Sequence, residues 1–458
     1  MLTDFGVKSL LKNISCKLKR DEKITILGGG PGGISVAFYA KKSNLPFELF
    51  EASTKLGGNC STFNYKNFYY DSGAHRLHDK DKETTDDIRA LIGEELKLIN
   101  VPSQIYRDGK YIDFPLTPLN IFSFLGPLKF FTAAKQIILN KIIKRKNKNF
   151  KDLAIGTYGK LIAELFLLKY TEKLWGKTPE KLSKKVAGSR LKGLDFKTFL
   201  LESLKKNKKK VTHLDGEFYY PKSGIGSIFE KMGDYCGSNS IHLNHQITKL
   251  IHNNKNIKYL EYNNSNLTQV SSVVSSLPLG LLIKLLNPAP PKKILNTINS
   301  IQFRNLILVA FFIDKNSINS NGSMYFPSNE FVFTRVYEPR NRSSFMSPEG
   351  KTSLIAEIPC QRDDEIWQLD ENTVLEKIKC DLIKCGFFNE KELINGEIRK
   401  LFNAYPILEN NFEKKIAPIF DYLSKFKNLT ITGRNGLFEY SHIHDHMRNA
   451  RKIISNQS

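Results

Sequence analysis

Residues Lys23 to Ser61 read KITILGGGPGGISVAFYAKKSNLPFELFEASTKLGGNCS. Lys23–Leu27 is a short apolar run of strand character. Gly28-x-Gly30-x-x-Gly33 follows at once, then a helical stretch through Ile34, Val36, Ala37, Phe38 and Ala40. A second strand-like run, Phe47–Phe50, ends on Glu51. Each part has a physical role. Gly28 allows a tight turn, Gly30 lets backbone N–H groups approach a pyrophosphate, and Gly33 lets helix and strand pack closely. The helix N-terminus adds partial positive charge for the phosphates. Glu51, roughly 20 residues after the turn, suits the two ribose hydroxyls of an adenosine and repels a 2′-phosphate. A lone glycine triplet would be weak evidence, but here strand, glycines, helix, second strand and acid occur in order. The stretch predicts a dinucleotide-binding βαβ unit.

With 458 residues the chain is too long for one compact core, and two or three intermingled domains are expected. A hydrophobic fraction of 41% and a charged fraction of 25% are those of an ordinary globular protein. Cys16, Cys60, Cys236, Cys360, Cys380 and Cys385 form no CxxC pair and read as reduced thiols, which suggests a cytoplasmic location. The net charge of +23 comes with no nucleic-acid module, so nucleic acid is not an expected partner. Its dense runs, Lys144–Lys148 and Lys205–Lys210, read as solvated faces. Attraction to an anionic membrane or an acidic substrate is the alternative. No stretch of about 18 apolar residues is present to span a bilayer. The first twenty residues lack a signal-peptide core, but set Phe5, Leu10, Leu11, Ile14 and Leu18 among lysines. That spacing suits a cap on the following domain or a helix lying at the inner membrane face.

Further along, Tyr69–His78 reads as a strand and turn, and Asp86–Leu98 as a helix. Ser103–Pro115 reads as a small hairpin turned at Asp108-Gly109. Residues 117–170 are helical in spacing and broken at Gly126-Pro127. Ile241–Pro278 returns to short strands, the last of which rejoins the first sheet. Ile301–Asp314 and Phe331–Pro359 are strand-rich, Asn428–Ile431 is a final strand, and a helix starts near Ile443. Asn287–Lys293, NPAPPKK, is the clearest linker. His442, His444 and His446 alternate near a helix start, which points the rings apart, so no metal site is expected.

The glycine doublet Gly57-Gly58, shortly after Glu51 and followed by Ser61 and Thr62, resembles the extended fingerprint of FAD enzymes in the amine oxidase superfamily. Later blocks resemble the UDP-galactopyranose mutases and the related protoporphyrinogen-oxidase-like flavoproteins. The most specific is Tyr170-Thr171-Glu172-Lys173-Leu174-Trp175-Gly176, continuing to Pro179 and Leu182, which is similar to a YTxKQWGxxPxxL block with Leu174 in place of Gln. Tyr219–Met232, Phe303–Leu306, Thr334–Glu338 and Gly433-Arg434 with Phe438-x-Tyr440 resemble further blocks. The likeness runs from Lys23 to about Arg451. Phe438, Glu439 and Ser441–Asp445 depart from it.

The resemblance implies an α/β fold: a discontinuous Rossmann-type FAD-binding domain, an inserted helical domain and an antiparallel β-sheet substrate domain. The expected boundaries are a basic extension over 1–22 and FAD-domain pieces over 23–78, 216–290 and 426–458. A mostly helical insert takes 79–215 and the β-sheet domain 291–425. Non-covalent FAD would be held by Gly28, Gly30, Gly33, Glu51, Gly57, Gly58, His75, Gly433 and Arg434, with His78 near the same ring. Tyr170 and Trp175 match the uracil region, though alone they read as core aromatics. Arg190 and Arg304 match two arginines that clamp a diphosphate, a task suited to a planar guanidinium. Arg190 alone reads as a surface arginine, and Arg304, inside an apolar strand, as one half of a buried pair. Tyr337 and Tyr440 match hydroxyls that touch the diphosphate. Arg190, Arg304, His75, Tyr337 and Tyr440 are thus the expected catalytic set.

The activity so implied interconverts pyranose and furanose forms of a nucleotide sugar for cell-surface polysaccharide, through an adduct of the sugar with N5 of reduced flavin. The rival is an oxidoreductase of the amine oxidase or protoporphyrinogen oxidase type, taking a hydride onto FAD. The aromatic-rich Phe122–Phe131 offers that rival an apolar, membrane-facing entrance. A flavin-binding scaffold docked on a glycan assembly is a third reading.

Overall fold

A computed structural model describes residues 22–143, 147–188 and 217–455. Arg190, the lysine run 205–210 and the extension before residue 22 lie outside the described residues.

Ile24–Leu27, the first strand, is buried along its whole length and sits at the centre of a five-stranded parallel sheet. Across that sheet the strands run Leu429–Ile431, Ser272–Ser275, Ile24–Leu27, Phe47–Phe50 and Ile241–His242, each pair parallel. Strands buried on both faces read as near-continuous apolar runs, as ITIL, FELF and LTI do but for Thr25, Glu48 and Thr430. The sheet draws on both ends of the chain and its middle. Pro31–Lys42 crosses from the first strand to the second and packs against the C-terminal helix Ile443–Ser455 through Val36, Tyr39, Met447 and Ala450. This is the parallel α/β arrangement of the dinucleotide-binding βαβ unit expected from the opening stretch.

Ile247–His252, Ile257–Tyr262 and Asn266–Gln269 form an antiparallel excursion, joined by the short Leu286–Asn287, before Ser272–Ser275 returns to the parallel sheet. A seven-stranded sheet faces the cofactor side. Its order is Leu393–Pro406, Phe303–Ile313, Thr352–Cys360, Arg335–Tyr337, Ser323–Tyr325, Ser103–Arg107 and Lys110–Phe114. All its neighbours are antiparallel except Ser103–Arg107 with Ser323–Tyr325.

Three details differ from the sequence reading. Ser103–Phe114 is no free-standing hairpin but the edge of this large sheet, because Ser103–Ile105 pairs with Ser323–Tyr325 more than 200 residues away. The helix expected over Asp86–Leu98 is Lys82–Ile92, where the Asp81 carboxylate accepts the Thr84 N–H at 3.0 Å. Gly93, at φ +66°, ends it, and Leu96–Ile99 pairs with Phe218–Pro221. Leu393–Pro406, fourteen residues long, was not anticipated: Glu397, Arg399 and Lys400 interrupt its alternation, and a register shift opposite Arg304–Leu306 breaks its period.

Two helical segments cover one end of the large sheet. Pro118–Ile142 bends at Gly126, where φ is +71°, ahead of Pro127. Phe150–Ile162 leads through a wide helical turn, Ala163–Leu168, into Lys169–Trp175, which ends on Gly176 in the left-handed conformation.

Candidate functional site

The glycine-rich turn is shaped by contacts that only glycine permits. Gly28 has φ +92° and donates its N–H to Phe50 O at 2.8 Å. A Cβ on Gly33 would lie 1.9 Å from Gly28 O, and one on Gly32 would lie 2.7 Å from Gly433 Cα. A Cβ on Gly30, by contrast, would meet nothing within 4 Å. The open space is therefore at the residue whose backbone has to face a pyrophosphate. The Glu51 carboxylate accepts N–H groups from Gly29 at 2.6 Å and Ser53 at 2.9 Å, which holds the acid beside the turn. Gly57 (φ +104°) and Gly58 (φ +49°) close in from the other side, with the Gly57 N–H on Gly29 O at 2.9 Å. Gly433 (φ +82°) brings in the last chain segment.

From this turn a cavity of about 640 Å³ runs toward the large sheet. Gly28, Gly30, Glu51, Gly58, His75, Gly433 and Arg434 all line it, while Gly33 packs on Gly28 and Gly57 on Cys60. In the middle reach stand Trp175, Tyr405 and Tyr440, with ring centroids 5.8–6.0 Å apart. The Arg434 guanidinium lies 5.2 Å from the Tyr440 ring and donates to Ser441 O at 2.5 Å. A fixed cation beside this reach would stabilise negative charge on a reduced flavin. His75 faces the Ser72 hydroxyl at 3.3 Å. Burial, helped by the charges of Arg434, Arg335 and Arg342, pushes its pKa down to about 3, so its imidazole is neutral at physiological pH. His446 is neutral too, pushed to about 3 by burial and by Arg434. Burial pushes the Cys60 thiol up to about 12 and keeps it protonated.

Sequence reasoning left one pair in this reach without a role. Arg335, a lining residue, makes a forked contact with Glu357 at 2.6–3.0 Å, and Glu357 also accepts the Ala74 N–H at 2.8 Å. Burial alone would lower the Arg335 pKa, but the Glu357 carboxylate raises it well above the usual value. The signal lay in TRVYE and IAEIP: a charge inside each of two apolar strands needs a partner. Tyr405 was missed together with the strand that carries it.

The structure brings only some of the expected substrate residues together. Tyr170, Trp175 and Tyr440 line the cavity. Arg304 does not: its guanidinium turns into the wall, donating to Asp364 at 3.1 Å, Pro359 O at 2.8 Å and Lys173 O at 3.2 Å. The buried-pair reading holds for it, because a charge in an apolar strand found acceptors inside the fold. Tyr337 is also displaced, since its hydroxyl donates to Asp71 O at 2.7 Å and its ring stacks under Arg342 in the core. His78 reaches the cavity edge, against the Phe218 ring.

Beyond the aromatic reach the lining changes character. Ile105, Phe114, Leu116, Ile121, Ile137 and Phe166 form an apolar arm between the hairpin edge and the two helical segments. Among the described residues the whole lining includes no lysine. Its arginines are engaged with protein acceptors: Arg76 with Ser103, Arg335 with Glu357 and Arg434 with Ser441.

These residues fit a flavin dinucleotide: an open cradle at Gly30, an acid beside the turn and a long cavity leading away. Comparisons with known proteins agree. Coproporphyrinogen III oxidase of Bacillus subtilis (strain 168) is 22% identical over 390 residues, covering 79% of this chain and 82% of that protein. The crystal structure of reduced UDP-galactopyranose mutase superposes with a TM-score of 0.80 at 17% identity, covering 95% of both chains. A fatty acid isomerase from P. acnes that produces CLA superposes at 0.67, with 13% identity over 96% of this chain and 99% of that one. The sequence model for flavin-containing amine oxidoreductases matches residues 31–406, from the Gly-rich turn to the strand that carries Tyr405, and the chain belongs to that family.

Proposed function

We propose that this protein is an oxidoreductase with non-covalently bound FAD that removes a hydride from an apolar substrate. The carrying observation is the apolar arm, walled by Ile105, Phe114, Ile121, Ile137 and Phe166 and leading into the aromatic reach beside Arg434. Such walls reward burial of hydrocarbon and offer nothing to a diphosphate. The flavin, when bound, supplies a two-electron acceptor. Gly28, Gly30, Gly33 and Gly58 would hold its pyrophosphate, Glu51 its ribose, and Gly433 and Arg434 would lie toward its ring. Arg434 holds positive charge on the cofactor side. His75 and His446, both held neutral by burial, present no competing cation. The aromatic walls exclude water from the substrate.

A second reading, the sugar-nucleotide mutase, is favoured by the placement of Tyr170 and Trp175 of the YTEKLWG block in one cavity with Tyr440. It ranks lower because Arg304 is committed to Asp364 and Pro359 rather than to the cavity. One anaerobic experiment separates the two. Protein with oxidised flavin is titrated with polyene, porphyrinogen and amine donors, and dithionite-reduced protein is incubated with UDP-hexoses. Bleaching of the flavin band by a donor supports the hydride reading. An isomer of unchanged mass, formed only with reduced flavin, would replace it with the mutase.

A further inference from the structure

We propose that the outer face of the helical segment Pro118–Ile142 is a docking surface for an anionic lipid bilayer. The segment has two faces with opposite fates. Inward, Ile121 and Ala133 are buried and Ile137 lines the apolar arm of the cavity. Outward, Leu128 is 83% exposed, Phe131 67%, Ile138 49% and Ile142 73%. These four lie three, seven and four residues apart, so they form one stripe along the helix after the Gly126 bend. Leu119, 76% exposed, and Phe122 extend the apolar surface on the other side of the bend. Folding leaves apolar groups singly on many surfaces, but a continuous stripe of this size marks a contact.

Charge selects the occupant. From Phe114 to Lys151 the sequence contains no Asp or Glu, while eight Lys and Arg fall between Lys129 and Lys151. Lys129, Lys135 and Lys141 are exposed along the same helix, where long stems can lie along apolar surface and ammonium groups reach phosphate. Two copies of such a face would repel each other, and an acidic headgroup layer would not. Among the described residues no helix is long and apolar enough to cross a membrane, so the segment would lie on the surface. The docking is independent of which reaction the flavin supports.

The test uses the full chain with its flavin, sedimented with vesicles of phosphatidylcholine alone or with added phosphatidylglycerol. Binding is expected only with phosphatidylglycerol, weakening as salt is raised. The double substitution Leu128→Glu and Phe131→Glu should lower the partition coefficient at least about tenfold, with circular dichroism and flavin absorbance unchanged. Should that variant misfold, Ser123→Cys carrying an environment-sensitive dye should shift to the blue on the same vesicles. Absence of phosphatidylglycerol-dependent binding, or an unshifted dye, overturns the proposal. So does a wild-type dimer that the variant dissolves and that ignores vesicles, which would assign the face to a second copy.

Discussion

At Gly33 a single methyl group separates a working cofactor turn from a broken one. Its Cβ would sit 1.9 Å from Gly28 O, backbone against backbone, with no flexible side chain to move aside. Gly33→Ala should therefore yield protein without flavin, read as the ratio of flavin to protein absorbance after purification. His446 supports a second prediction, on pH. The unfolded chain takes up a proton below about pH 6.5, whereas the folded chain holds this ring neutral down to about 3. Its contribution is thus fully present above the unfolded pKa and is lost as pH falls toward 3. Linkage makes this about 2 kcal/mol between pH 7 and pH 5. Urea unfolding at the two pH values should show His446→Asn losing less stability on acidification than the wild type.

Among the elements, the short helix Lys169–Trp175 is tied to a distant loop by one of its own side chains. Lys173 donates to the carbonyls of Phe326, Ser328 and Phe331 at 2.7–2.8 Å, fastening the loop after Ser323–Tyr325 to the helix that presents Tyr170 and Trp175. Lys173→Met leaves three carbonyls without that donor and should cost about 2–4 kcal/mol, measured by urea unfolding monitored through tryptophan fluorescence. The element scale is also where reading from the sequence met its limits. ITIL, FELF and LTI were legible because strands buried on both faces are mostly apolar, with only Thr25, Glu48 and Thr430 between their apolar residues. Leu393–Pro406 was not: one face of that strand is wet and a bulge breaks its alternation, so local pattern and true structure disagree. The Lys82–Ile92 helix was legible in kind but not in extent, since Gly93 ends it and a strand begins within the same apolar stretch.

For the whole molecule, the parallel sheet closes only when the chain's last segment returns. Leu429–Ile431 pairs beside Ser272–Ser275, and the helix Ile443–Ser455 covers Val36 and Tyr39 with Met447, Ala450 and Ile454. Removing residues 443–455 would uncover that apolar face next to the cofactor turn. The truncated chain should elute as aggregate in size-exclusion chromatography and carry no flavin.

The cofactor turn, its glycines and Glu51 were determined by the sequence itself, because a βαβ unit is local: strand, turn, helix and acid lie within 39 residues, and their spacing states their contacts. The YTEKLWG block likewise announced Tyr170 and Trp175. What Arg304 and Tyr337 do was decided only by the tertiary structure, since each lies in a strand whose neighbours come from distant segments. A guanidinium or phenol there is committed to whichever acceptor the fold brings near, Asp364 and Pro359 O in one case and Asp71 O in the other. The apolar arm is decided at the same level. Its walls come from a sheet edge and two helical segments, and a cavity is a property of surfaces brought together rather than of any one stretch of chain.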